Sequence, residues 1–305
     1  MNLHELTAVC HDENKAMELF EKLRWPNGPV CPHCKATDRI YRLQGKTTRA
    51  GLWKCGHCRK QFTARVGSIF EDSPLQIGKW LIAIYQMCSS KKGISAKQLE
   101  RQLGVNYRTA WFMCHRVREA MKAEPLASML GAGGGTVEVD ETYVGGKVSN
   151  NKHRNRTAAA GKKPIVMTLI DRDGDARTFA VPNTKKKTLE AIVRPNIDGS
   201  AHIITDENRS YDGIEKYFAS HDTVDHSKTF VRSIIFHTNF AESYHSLLKR
   251  GIIGAFHHVS EKHLPRYLHE FEFRWNRRKL TDGERFEETF AGANGRRLMY
   301  RAPLS

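Results

Sequence analysis

The sequence predicts an α+β multidomain chain: a small metal-held module, a helical region, then a larger α/β block. Three observations predict it. Two Cys-x-x-Cys pairs sit near the N-terminus, apolar residues recur at helical spacing from residue 75 to about 124, and beyond a glycine run they fall into short strand-like stretches. The expected boundaries are residues 1–70 for a zinc ribbon with an N-terminal helix and 71–130 for a helix-turn-helix-like DNA-binding region. The α/β block takes 131–280, and 281–305 is a C-terminal tail.

Cys31-Pro32-His33-Cys34 and Cys55-Gly56-His57-Cys58 are two knuckles separated by residues 35–54. Each turns tightly enough to aim two thiolates at one ion, and two knuckles complete a tetrahedral Zn²⁺ site. A module this small has little core of its own, and zinc contributes roughly 10–16 kcal/mol of apparent stability in such cases. His33 and His57 are surplus, because four cysteines close the shell. A redox dithiol is the rival reading, less suited to two matched pairs in a basic protein. Cys10, Cys88 and Cys114 read as small apolar residues. Seven cysteines, an odd number, suit a reducing compartment, so a cytoplasmic protein is expected.

In the second region Trp80, Leu81, Ile84, Tyr85 and Cys88 share one helical face. A pair of shorter helices follows. Ser95 is a candidate cap for the first, whose apolar face is Ala96, Leu99 and Leu103. Gly104 supplies a sharp turn, and Asn106 caps the second, which carries Trp111, Cys114 and Val117. As a helix-turn-helix this pair leaves Arg108, His115, Arg116 and Arg118 available to DNA, with Tyr107 and Arg108 at the leading end. A plain helical hairpin is the alternative.

Gly131-Ala132-Gly133-Gly134-Gly135 reads as a linker. After it, Thr136 to Val144, Ile165 to Ile170, Arg177 to Val181 and His202 to Thr205 read as strands. Asp171-Arg172-Asp173-Gly174 forms a hairpin turn, and helices are expected near Thr188–Val193, Asn239–Arg250 and Glu261–Trp275. Asp140 lies mid-strand; Val137, Val139 and Tyr143 share a face with Glu141, so Glu138 and Asp140 point the other way. Spacing alone does not choose between those two. Asp206 follows a short strand. Glu242 lies on a helix, with Lys249 on the same face nearly two turns on. Two strand aspartates and a helix glutamate suit a hard cation such as Mg²⁺, with Mn²⁺ as a possible substitute. Two such ions can activate an attacking oxygen and stabilise a leaving one at a phosphodiester.

The net charge is +16. From Lys147 to Lys187 eleven Lys and Arg residues face three Asp, Lys185, Lys186 and Lys187 among them, which reads as a footprint for phosphates. No uncharged apolar run approaches the ~18 residues of a membrane span. Met1-Asn2-Leu3-His4-Glu5-Leu6 lacks the layout of a signal peptide.

Longer motifs carry a family resemblance. Val137-Glu138-Val139-Asp140-Glu141-Thr142-Tyr143-Val144-Gly145-Gly146-Lys147 resembles the first catalytic segment of the ISXO-like insertion-sequence transposases, bacterial relatives of Merlin transposons. His237-Thr238-Asn239, Glu242 and Ser246-Leu247-Leu248-Lys249-Arg250-Gly251-Ile252 resemble the third. Phe256-His257-His258-Val259-Ser260 and Phe271-Glu272-Phe273-Arg274-Trp275-Asn276 match as well, and Trp53-Lys54-Cys55 matches the ribbon. Where relatives commonly carry an aromatic pair after the glutamate, this chain has Ser243-Tyr244-His245.

The resemblance implies a ribonuclease-H-like domain with a mixed sheet. Asp140, Asp206 and Glu242 would be the catalytic metal ligands, and Lys249 would contact the DNA strand beside them, with Arg250 as a further DNA contact. It implies a DNA transposase that binds element ends, cuts and transfers strands, working on double-stranded DNA as a dimer or larger oligomer, with no membrane partner. A transposase-derived DNA-binding regulator without catalysis, or a nuclease or resolvase on the same fold, are the other readings. His202, His226 and His237 lie near these motifs and read as surface or structural residues.

Overall fold

The computed structural model describes residues 1–123, 128–145, 163–172, 174–224 and 238–299. The chain divides into two compact units, one of residues 1–122 and 279–305, the other of 123–278.

The first unit opens with α1 (Leu3–Cys10) and α2 (Glu13–Arg24). Asn2 and Glu5 form a reciprocal capping box at the start of α1, and Asp12 caps α2, which satisfies amides that a helix start leaves unpaired. The ribbon follows as an antiparallel sheet of β1 (Ile40–Arg42), β2 (Trp53–Cys55) and β3 (Gln61–Phe62), with Ile40 opposite Cys55 and Trp53 opposite Phe62. Its small core is Cys31, Cys55 and Phe62, covered by Trp25, Ile40 and Trp53.

Next comes α3 (Ile77–Ser89), which buries Trp80, Leu81, Ile84, Tyr85 and Cys88 as their spacing predicts. Then α4 (Ala96–Leu103) and α5 (Tyr107–Met121) form the expected pair. Ser95 Oγ accepts from the Gln98 amide at 3.1 Å, and Asn106 Oδ1 from the Thr109 amide at 2.8 Å. Gly104 turns between them at φ +58°, a left-handed conformation that costs glycine little.

The second unit is built on a five-stranded mixed sheet. Its strands are β4 (Thr136–Tyr143), β5 (Ile165–Asp171), β6 (Ala176–Val181), β7 (His202–Asp206) and β8 (Ser220–Val224), in the spatial order β6-β5-β4-β7-β8. The β4/β5 and β5/β6 pairs are antiparallel, and the β4/β7 and β7/β8 pairs parallel. Helix α6 (Lys186–Asn196) buries Leu189 and Val193 in a core with Val137, Val139, Met167 and Leu169. Helices α7 (Asn239–Gly251) and α8 (Leu264–Asn276) share another with Val166 and Ile170, using Ala241, Tyr244, Leu248, Leu268 and Phe271. β5 feeds both cores from alternate residues, which is why it reads as one continuous apolar run. This is the ribonuclease-H-like architecture that the resemblance implies.

Helix α8 also covers the open edge of the sheet. Asn276 Oδ1 accepts from the Ala176 amide at 2.8 Å, and its amide nitrogen donates to the Ala176 carbonyl at 3.1 Å. One turn earlier, Glu272 accepts from the Thr178 amide and, at 2.6 Å, from its hydroxyl. Ala176 and Thr178 point away from β5, so these side chains stand in for a neighbouring strand and close an edge that would otherwise invite pairing.

Two expectations need correction, and one strand was not expected. The glycine run is not a linker but a packed turn of the second unit. The Gly131 amide donates to Asp171 Oδ2 at 3.0 Å, Gly135 closes back on Gly131, and a Cβ on Gly131 would lie 2.6 Å from that of Ala201. The expected tail contains α9 (Asp282–Ala291), whose Phe286 and Phe290 are buried in the first unit and whose Thr289 hydroxyl meets the Cys88 thiol at 3.0 Å. β8 escaped the reading because Ser220-His221-Asp222-Thr223-Val224 has no apolar alternation; its register with β7 defines it.

Candidate functional site

Asp140 and Asp206 come from adjoining strands. Asp140 lies toward the end of β4 and Asp206 is the last residue of β7, which runs parallel to it. One ligand atom from each, with one from Glu141, falls within 4.8 Å of the others. Glu141 is the surprise of this site. Strand alternation assigns it to the Val137 and Val139 face, but its long side chain bends to the carboxylate cluster, where the Tyr211 hydroxyl donates to it.

The electrostatics follow from crowding. Burial, helped by the negative charges of Asp206 and Asp140, pushes the Glu141 carboxyl up to about 7 against the opposing pull of the Tyr211 hydrogen bond. Burial and the same three carboxylates drive the Tyr211 phenol well above its ordinary value. An all-oxygen donor set of this span fits a hard divalent cation, whose charge relieves the repulsion.

Two contacts key α7 to β4. Glu138, fully buried, accepts from the Phe240 and Ala241 amides at 2.9 and 3.0 Å, while its other oxygen takes the Arg172 Nε at 2.9 Å. A carboxylate at a helix N-terminus satisfies unpaired amides and meets the positive end of the dipole. Five residues along α7 from Phe240, His245 Nδ1 lies 3.3 Å from Asp140 Oδ2, and its Nε2 lies 2.9 Å from Thr168 Oγ1. Glu138 and Asp140, equivalent by spacing, therefore differ sharply. Glu138 is closed into the helix start, whereas the Asp140 side chain keeps 19% of its surface exposed.

Glu242 is exposed in the first turn of α7, and among the described residues it does not join the carboxylate cluster. It stands three residues before His245, on the same side of the helix. Lys249 and Arg250 are exposed in the last turn, with Arg250 Nε donating to the Ser246 carbonyl at 3.2 Å.

The four knuckle cysteines converge. Cys31 and Cys58 sulfurs are 3.6 Å apart, as are those of Cys34 and Cys55. Zn–S bonds of about 2.3 Å in a tetrahedron require sulfurs about 3.8 Å apart, so the set fits the ion. Both knuckles are built alike: the Cys31 amide donates to the Ala36 carbonyl and the Cys55 amide to that of Lys60. Burial works to raise the Cys31 thiol, but the amides of Cys34 and His33 and the neighbouring thiols outweigh it and bring it down to about 7. His57 is occupied elsewhere, 3.0 Å from Asp38.

The expected DNA contacts divide. Arg108 is exposed near the start of α5. Arg116 and Arg118 are a correction, since both are buried, as is His115. Arg116 donates to the Glu71 and Leu298 carbonyls, with its guanidinium over the Phe112 ring, so it ties the first unit together. Their spacing gave no sign of this, because α5 buries more of its circumference than a two-sided helix does. Lys185, Lys186 and Lys187 are exposed at the start of α6, where Lys186 Nζ donates to the Asp212 carbonyl. The basic stretch from Lys147 to Lys162, His226 and His237 lie outside the described residues. His202 is exposed and bonded to Ser220 at 2.7 Å.

Comparison with known proteins places these features together. The family model of the ISXO2-like transposase domain matches residues 132–276, which contain Asp140, Asp206, Glu242 and Lys249. That of the transposase zinc-ribbon domain matches residues 11–61, which contain all four knuckle cysteines. A protein of the transposable element ISH50 from Halobacterium salinarum is 27% identical over 276 residues, covering 86% of this chain and 90% of that protein. A transposase-like protein from Haemophilus influenzae is 29% identical over 103 residues, covering 34% of this chain and 82% of its own. A chain of the pre-cleavage Mos1 transpososome aligns at 16% identity over 66% of this chain and 74% of its own, with a TM-score of 0.25, too loose to carry an argument.

Proposed function

This chain belongs to the ISXO2-like transposases, and from that premise we propose that it cuts the ends of its own mobile element and joins them to target DNA. It is a DNA transposase with a structural Zn²⁺ in its ribbon and a catalytic divalent metal. The observation that carries the catalytic reading is the convergence of Asp140, Asp206 and Glu141 on one point between adjoining strands.

Asp140 and Asp206 would hold the cation; family resemblance assigns Glu242 on α7 as the third ligand, while the structure gathers Glu141 with the two aspartates. When bound, Mg²⁺ or Mn²⁺ supplies Lewis-acid stabilisation of the oxygens that attack and leave phosphorus. In the first reaction a water oxygen attacks the phosphodiester at the element end and the 3′-oxygen departs as a hydroxyl. In the second that hydroxyl oxygen attacks a target phosphodiester, its proton passes to solvent, and the target's own 3′-oxygen leaves. Glu138 and His245 keep α7 in register with β4 while DNA is loaded. Lys249 contacts the strand beside the carboxylates. Arg250, Lys185, Lys186 and Lys187 hold phosphates without sequence choice, while the ribbon and the α4–α5 pair, led by Arg108, recognise the ends.

Joining two ends calls for at least a dimer on DNA, acting in the bacterial cytoplasm at the nucleoid. Among the described residues no helix is long and apolar enough to cross a membrane.

The test uses purified protein and labelled DNA carrying the element's flanking ends, with Mg²⁺ or with EDTA. Metal-dependent cleavage and joining, lost in Asp140→Ala with end binding retained, supports the reading. Tight end binding without strand breakage would favour a regulator, and cleavage without joining a nuclease.

A further inference from the structure

Asp140 and Thr168 are direct partners across the β4/β5 ladder, so their side chains stand together on one face of the sheet. His245 sits over that pair from α7. Its Nδ1 faces Asp140 Oδ2 at 3.3 Å and its Nε2 faces Thr168 Oγ1 at 2.9 Å, and the ring is buried. The Asp140 contact is one of proximity, a ring nitrogen beside a carboxylate oxygen, while the Thr168 contact is a hydrogen bond. A hydroxyl both donates and accepts, so Thr168 satisfies Nε2 whichever role it takes. The arrangement holds the ring between the Asp140 carboxylate and the Thr168 hydroxyl.

A second spacing agrees. Glu138 and Asp140 are about 6.7 Å apart along β4. Their partners on α7, the Phe240 and Ala241 amides and His245, are about 7 Å apart along the helix axis. Glu138 and the Asp140–Thr168 pair thus meet two separate points of α7, its first turn and its middle.

We propose that His245 is a positioning residue for the metal-binding carboxylate of Asp140: it fixes the carboxylate's orientation and links it, through the helix it stands on, to Glu242. This rests on the reading of Asp140 as a metal ligand. His245 need not touch the DNA or the cation; it acts through Asp140, as residues behind a metal ligand commonly do. A merely structural histidine would contribute to stability and leave metal affinity alone.

The test is Mn²⁺ binding by the full-length, zinc-loaded protein, followed by isothermal titration calorimetry without DNA. Asp140→Asn is expected to lose the binding. His245→Phe, of similar volume but with no donor, is expected to weaken it by about tenfold, within the 10–100-fold range for such partners. His245→Asn, which restores a donor near the Nδ1 position, is expected to recover to within about threefold of wild type. The Mn²⁺ concentration for half-maximal cleavage of end DNA should shift in the same order, while end binding stays constant. Wild-type affinity in His245→Phe with affinity lost in Asp140→Asn overturns the role of His245 and leaves the metal site standing. Binding undisturbed by Asp140→Asn overturns the site itself, and this proposal with it. If His245→Phe does not fold, Thr168→Val, which removes only the partner of Nε2, carries the test. A few-fold loss supports the proposal, and unchanged affinity overturns it.

Discussion

Glu138 on β4 and Ala241 on α7 are 103 residues apart in sequence, yet a carboxylate oxygen of the first accepts the backbone amide of the second at 3.0 Å. The same carboxylate is paired with Arg172 and fully buried. It joins the strand that carries Asp140, the hairpin turn after β5 and the helix that carries Glu242. Removing it takes away the buried carboxylate that the Arg172 guanidinium and two helix-start amides share.

Glu138→Ala should therefore destabilise the second unit by about 3–5 kcal/mol, the usual cost of breaking a buried pair from one side. Thermal unfolding should show a melting point lower by roughly 10 °C. Glu138→Gln, which keeps an acceptor for the helix amides but not the charge, should lose less. An unchanged melting point for Glu138→Ala would remove this residue from the account of how α7 is placed.

Zinc should be found at one ion per chain, and Cys55→Ser should lose it. Because the ribbon core is only Cys31, Cys55 and Phe62 under its aromatic cover, the ribbon should unfold when the ion leaves. End-DNA binding should fall with it, while calorimetric Mn²⁺ binding, which belongs to the second unit, stays intact. Elemental analysis, gel-shift binding and calorimetry on one preparation check all three.

Arg108 and Arg116, two turns apart on α5, should behave oppositely. Arg108→Ala should weaken DNA binding and reduce the slope of log affinity against log salt by about 1, as loss of one phosphate contact does. Arg116→Ala should instead lower stability, because the Glu71 and Leu298 carbonyls lose their donor. A changed salt slope with full stability in Arg116→Ala would reverse the present assignment.

Asn276→Ala should expose the edge of β6. The Ala176 amide and carbonyl lose both partners, at a cost of about 1–3 kcal/mol, and the freed edge should promote association between molecules. Light scattering on mild heating should rise sooner than in wild type. Asn276→Asp, which keeps the acceptor but not the donor, should fall between.

What was legible in the sequence was local. The knuckles, the caps at Ser95 and Asn106, the turn at Gly104 and the strands around Asp140 depend on residues a few positions apart, so spacing and side-chain chemistry reveal them. Family resemblance added the choice of Asp140 over Glu138, which periodicity leaves open. Tertiary structure decided the rest. It turned Glu141 toward the carboxylates, buried Arg116 and Arg118, folded the supposed tail into the first unit and set His245 over Asp140 and Thr168. Those contacts span tens to hundreds of residues, and a charged side chain gives no local sign of whether the chain will later bring it a partner or leave it in water.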